Sequence, residues 1–177
     1  MKEFDLIGRY FSNCGHKRKD VVIGIGDDCA VTTVPENQQL AVTTDTLVAG
    51  VHFLKDAPAK SVAYKTVAVN LSDFAAMGAE PVGILVSLGV PGDGALAQEI
   101  MAGVKSFTRE FGMTLLGGDL TRSPGPLIVD VVSIGHVRKP LLRSGARVGD
   151  EVWVTGALGG AAAGVALWEA GQTVPHL

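Results

Sequence analysis

The sequence has little of what most readily marks a protein's chemistry. Its 177 residues include two cysteines, Cys14 and Cys29, whose spacing suits neither a zinc site nor a disulfide framework. A reducing, cytoplasmic compartment is the expectation. Charged residues make up 19% of the chain, below the usual quarter, and aromatic residues only 6%. The formal net charge is -3, and Lys and Arg are scattered apart from the run Lys17-Arg18-Lys19, which reads as a solvated loop. Nothing forms a basic stripe suited to a nucleic-acid backbone. No apolar run reaches the length of a membrane span, and the opening MKEFDLIGRYF is amphipathic, unlike a secretory leader. Also missing are a G-x-x-x-x-G-K-[ST] phosphate loop, a protein-kinase catalytic loop and a G-x-S-x-G elbow, and the four histidines are widely separated.

What is present describes a compact globular chain. Hydrophobic residues are 47% of it, and the length suffices for one core, or for one domain plus part of another. Many of the 23 glycines stand in short clusters beside Asp, which reads as tight turns and close backbone approach. Residues 3–13 place Phe4, Ile7, Tyr10 and Phe11 at helical spacing. CAVTTV and QLAVTTDTL read as strands on either side of the turn Pro35-Glu36-Asn37, with Asp45 at the end of the second. SVAYKTVAVNLSDFAAMGA is a long, unusually apolar helix stopped by Gly78 and Pro81. GILVSLGV is a buried strand ended by PGDG; residues 95–111 are a second helix carrying Leu96, Ile100, Val104 and Phe107. MTLLGGD reads as a strand broken by its glycines, and PLIVDVVSIGHV as another.

Residues 1–137 are therefore expected to form an α+β domain: an open mixed or antiparallel sheet of about five strands, with two substantial helices packed on one face. Residues 138–149 read as a linker. Residues 150–177 read as the start of a second α/β domain, with EVWVTG as a strand and GALGGAAAG as a turn entering a small-residue helix. One strand and one helix cannot make a core, so the chain is expected to be truncated, the alternative being an end on a surface helix.

Carboxylates carry the chemical signal. Asp27 and Asp28 are adjacent in GIGDDCAV, and such a pair repels itself unless donors, water or a cation offset the charge. Asp45 in TTDT stands among the hydroxyls of Thr43, Thr44 and Thr46; its bland reading is a polar strand end. On the long helix Thr66, Asn70 and Asp73 fall at spacings of four and three, one narrow polar stripe that is either a functional carboxylate with its neighbours, a buried hydrogen-bond network or an exposed face. Asp119 follows Gly117 and Gly118, where missing side chains leave backbone N–H groups open to an anion; alone, a turn explains it equally. Asp150 in VGDE reads only as a turn residue. His52 reads as a surface or core-edge histidine or a substrate contact, and Arg143 as a phosphate contact or an interdomain ion pair. Aspartates with Thr, Ser, Asn and Gly neighbours supply the hard oxygen ligands that magnesium prefers, with phosphates completing its shell.

In this order, GIGDDCAV, TTDTLVAGVHF, AYKTVAVNLSDFAAMGAEP, GGDLTRS and LLRSGARVGDEVWVTG resemble the thiamine-monophosphate kinase family, over Phe4 to about Gly171. The wider superfamily includes aminoimidazole ribonucleotide synthetase, selenophosphate synthetase and a hydrogenase maturation protein. The resemblance implies the superfamily's amino-terminal fold and ATP-dependent phosphorylation of thiamine monophosphate to thiamine diphosphate. Transfer would be direct and in line, without a side-chain nucleophile. It further implies Mg2+ as cofactor, with Asp28, Thr43, Thr44, Asp45, Asp73 and Asp119 similar to the metal ligands and Asp27 beside them. Gly118, Asp119 and Arg143 are similar to ATP contacts and His52 to a thiamine contact. A homodimer formed through the sheets of the first domains is also implied. Two departures stand out: Leu120 occupies a position where the family commonly has Thr, and the S-D-G motif of the family's second domain does not occur. The isolated chain is accordingly expected to be inactive. The rival readings are another ATP-using superfamily synthetase, or a non-catalytic Mg-nucleotide-binding or dimerisation module.

Overall fold

The computed structural model describes residues 17–25, 29–92, 94–154 and 156–172. The chain divides into two compact units between Leu142 and Arg143. In the first, a ribbon of β1 (Val21–Ile23) and β2 (Val31–Thr32) precedes a four-stranded sheet built from β3 (Gln39–Val48), β4 (Glu80–Val90), β5 (Thr114–Arg122) and β6 (Ile128–Val137). Helix α1 (Ala59–Met77) joins β3 to β4, and α2 (Ala95–Glu110) joins β4 to β5. The sheet order is β3-β6-β4-β5, with β6 antiparallel to both neighbours and β5 parallel to β4. Strands that run the same way need a crossover, which the two helices supply, and β6 slots between β3 and β4. The fold is mixed α+β, as expected.

Local chemistry sets the element ends. Asn37, at φ 62°, turns the chain into β3, where Gln38 N–H donates to Pro35 O at 3.2 Å. Helix α1 stops at Gly78, whose φ of 67° is left-handed; Gly78 N–H donates to Ala75 O and Ala79 N–H to Phe74 O. The core lies between the helices and one face of the sheet. Val62, Val67 and Phe74 of α1 and Ile100 and Val104 of α2 pack with Ile84, Val86 and Leu88 of β4 and Val129 and Val131 of β6. Two glycines permit that closeness. A Cβ on Gly103 would lie 2.6 Å from Ala63 Cβ, and one on Gly135 would lie 3.0 Å from the Phe74 ring.

Three expectations need correction. Strand β3 continues to Val48, so Asp45 lies inside the strand. Strand β5 runs unbroken through Gly117 and Gly118, because β4 provides a continuous ladder beside it. The described residues of EVWVTG, 151–154, form no strand: extended backbone needs a neighbouring strand to take its hydrogen bonds, and none pairs with it among the described residues. The second unit does contain the expected turn and helix, α3 (Gly160–Glu169), after a 3-10 turn at Arg143–Gly145. The helix expected over residues 3–13 lies outside the described residues. Among those described, no helix is long and apolar enough to cross a membrane.

Candidate functional site

Alternation along β3 sends Thr43, Asp45 and Leu47 toward the helices and Leu40, Val42, Thr44 and Thr46 to the opposite face. Asp73 comes down to meet the inner set from the last turns of α1, and Thr43 Oγ1 donates a hydrogen bond to Asp73 Oδ2. Asp45 stands two residues further along the same face. Partial burial pushes its carboxyl above the ordinary value, the Asp73 charge adds to that, and nearby His52 opposes it. The polar stripe of α1 thus resolves into two parts. Thr66 and Asn70 are fully buried and bond back to the helix, Thr66 Oγ1 to Val62 O at 2.8 Å and Asn70 Nδ2 to Thr66 O at 3.1 Å. Only Asp73 reaches out to the strand.

His52 lies in the turn that follows β3. Its Nδ1 accepts the Val48 N–H at 3.0 Å, and its own N–H donates to Val48 O at 2.9 Å. With Nδ1 occupied as an acceptor, the neutral ring carries its proton on Nε2, which is left as an outward donor. Lys65 Nζ donates to the carbonyl of His52, tying this turn to α1. The sequence reading passed over Lys65; its signal was a cation eight positions before Asp73, on a largely apolar helix whose other cation, Lys60, stands in the first turn.

The other candidates sit elsewhere. Across the sheet, Asp45 is in register with Val131, Val86 and Gly118, whereas Thr46 is in register with Asp130, Ser87 and Asp119. Neighbouring rows point to opposite faces, and three strand spacings separate the edges, about 14 Å. Asp119 therefore leaves the outer face, far from the Asp45–Asp73 pair of its own chain, and Thr44 shares that face. Thr46 Oγ1 donates to Asp130 Oδ1, a carboxylate the sequence reading did not single out. Gly118 is required by strand packing, since a Cβ there would sit 1.9 Å from Val86 O. Arg143 is exposed in the second unit, and Asp150 Oδ2 accepts the Arg147 N–H at 2.8 Å in a local turn. Asp27 and Asp28 lie outside the described residues.

Thr43, Asp45 and Asp73 offer oxygen donors only, and two of them are carboxylates close enough for one to raise the other's pKa. That set fits a hard divalent cation such as Mg2+, whose charge would offset the repulsion. Among the described residues, no group of three or more His, Cys, Asp or Glu side chains is assembled around a single point. Two protein carboxylates suffice where water and phosphate oxygens complete the shell.

Residues 26–137 match the family model for the AIR synthase related protein, N-terminal domain. The thiamine-monophosphate kinase of Escherichia coli K12 is 45% identical over 166 residues, covering 93% of this chain and 51% of that protein. The crystal structure of thiamine-monophosphate kinase from Stenotrophomonas maltophilia K279a superposes with a TM-score of 0.82 at 39% identity, over 98% of this chain and 55% of that one. AaThiL complexed with AMPPCP and TMP superposes with a TM-score of 0.74 at 31% identity, over 98% and 53%. The chain spans about half the length of the curated relatives it matches, 51% of the Escherichia coli protein.

Proposed function

The chain belongs to the AIR synthase related protein N-terminal domain family, and from that premise we propose that it is the amino-terminal part of a Mg2+-dependent thiamine-monophosphate kinase. The observation that carries the reading is the Thr43–Asp73 hydrogen bond beside Asp45, an oxygen-only site at which two carboxylates share one face. The relatives' names and the AaThiL complex with AMPPCP and TMP support the choice of substrates. Residues 1–137 would be the Mg-ATP-binding domain, 138–149 a linker and 150–177 the start of a second domain.

In the reaction, a phosphate oxygen of thiamine monophosphate attacks the ATP γ-phosphorus as the bond to the β-phosphate oxygen breaks, giving thiamine diphosphate and ADP. Both reactants are anionic. Bound Mg2+ would reduce their repulsion and neutralise charge developing on the transferred group. Asp45 and Asp73, with Asp27 and Asp28, would hold the metal; Thr43 orients the Asp73 carboxylate by its hydrogen bond. His52 presents Nε2–H to the thiamine substrate, and Gly118 contacts the nucleotide. Thr44 and Asp119 stand on the outer face, so a homodimer through that face would set them at the interface, the arrangement we favour. A cytoplasmic protein fits this chemistry.

The test joins this chain to the second half of the Escherichia coli relative and follows ADP and thiamine diphosphate together. Thiamine diphosphate formed only with Mg2+ and thiamine monophosphate is the expected result, with none from the 177-residue chain alone. Turnover of an aminoimidazole precursor instead, or nucleotide binding without ADP release, would replace the reading with a sister synthetase or a binding module.

A further inference from the structure

We infer that Asn70 and Ser133 enclose one buried water molecule between α1 and β6, and that this water positions Asp73 against Thr43. Both side chains are fully buried, at 0% exposure, yet Asn70 Oδ1 and Ser133 Oγ have no hydrogen-bond partner. An orphaned buried polar atom costs about 1–3 kcal/mol, so two of them in one small core ask for a partner.

The register of α1 over β6 brings the two orphans opposite each other. Helix α1 runs antiparallel to β3 and β4, and therefore parallel to β6. Phe74 lies over Gly135, with its ring 3.0 Å from the position a Cβ would take. One turn back along α1 is Asn70, about 6 Å away, and two residues back along β6 is Ser133, about 7 Å away on the same face. Asn70 thus lies over Ser133 as Phe74 lies over Gly135. Ser133 is also directly opposite Thr43 in the β3–β6 ladder, and Thr43 donates to Asp73, three residues beyond Asn70. A water in this gap has Asn70 Oδ1 and Ser133 Oγ as partners and Thr43 Oγ1 next to them, the two to four polar contacts that a buried water needs. Val67, Phe74 and Val131, the neighbours of these two positions on α1 and β6, belong to the apolar core. The water ties α1 to the sheet one turn before Asp73 and fixes how far that carboxylate reaches toward the strand.

The positioning role rests on the reading of Asp73 as a metal-binding carboxylate, so the test has two independent arms. A high-resolution crystal structure of this chain should show an ordered water within hydrogen-bond distance of both Asn70 Oδ1 and Ser133 Oγ. Electron paramagnetic resonance titration with Mn2+ should show Ser133→Ala binding about tenfold more weakly than wild type, and Ser133→Thr, which keeps the hydroxyl, binding near wild-type strength. The pair Asn70→Leu/Ser133→Ala removes both orphans together and should keep its melting temperature while losing affinity, which a purely structural role would not produce. Absence of the water, or unchanged Mn2+ affinity in Ser133→Ala and in the pair, overturns the inference. A wild-type chain that holds the water but binds no Mn2+ overturns the metal reading of Asp73 and the positioning role with it, while the water stands.

Discussion

At neutral pH and without a cation, the carboxylate of Asp45 works against the fold. Its pKa is raised by partial burial and by Asp73, so its ionisation is less favourable in the folded chain than in the unfolded one. The contribution of this group is fully present below the ordinary Asp pKa and is lost as pH rises through the raised value. Asp45→Asn is therefore expected to raise the metal-free melting temperature at pH 7, by about 2 °C, and to flatten that loss; thermal melts over a pH series with chelator check it. Asp20 has the opposite sign. Arg18 donates to it through Nε and Nη2, both at 2.8 Å, and these bonds hold its carboxyl below the ordinary value. Its contribution is present above the ordinary Asp pKa and disappears as pH falls through the lowered one. Asp20→Asn should destabilise the chain at neutral pH and converge with wild type in acid, in the same melts. Asp45 and Asp73 were legible as candidates at this scale, one among threonine hydroxyls and the other on the polar stripe of the helix, whereas the pairing of Thr43 with Asp73 depends on how the helix packs over the strand. The tautomer of His52 and the tether from Lys65 were not legible, since both depend on a backbone turn that no residue spacing specifies.

Elements were legible where their signals were local. The stop of α1 at Gly78 and the turn at Asn37 follow from residues that accept a left-handed backbone, and both stand where expected. Strand β5 and the segment EVWVTG were misjudged for one shared reason: a strand is made by its neighbour. Gly117 and Gly118 stay in β5 because β4 lies alongside, while the β-branched run after Glu151 finds no such neighbour among the described residues. Between the helices, helix propensity and packing oppose one another. Gly103→Ala gains about 1 kcal/mol in intrinsic helix preference, but its Cβ would sit 2.6 Å from the Cβ of Ala63, which has no flexible end to swing away. Overpacking of that kind costs about 1–3 kcal/mol, so packing wins and the variant should unfold at lower urea than wild type. A higher midpoint would mean that α1 and α2 are free to separate.

For the whole molecule, a sheet with helices on one face was legible in the sequence, but which residues the other face presents was not. That depends on register. Val42, Ile134 and Gly83 form one outer row, and Thr44, Val132, Leu85 and Gly117 the next. Val42 is 59% exposed and Leu40 50%, an apolar surface at a sheet edge with no cover among the described residues. If two copies pair through it, as we propose, wild type should sediment as a dimer and Val42→Asp as a folded monomer; a monomeric wild type would refute the pairing. The site and the substrate meet in one final comparison. In the chain completed by a second half, Mg2+-dependent formation of thiamine diphosphate should fall about 100-fold with Asp73→Asn, a loss of the size seen when one transition-state contact is removed. Asp150→Asn, which alters only the turn at Arg147, should stay within about twofold of wild type, as surface changes outside a site ordinarily do. Equal effects of the two substitutions would contradict the account.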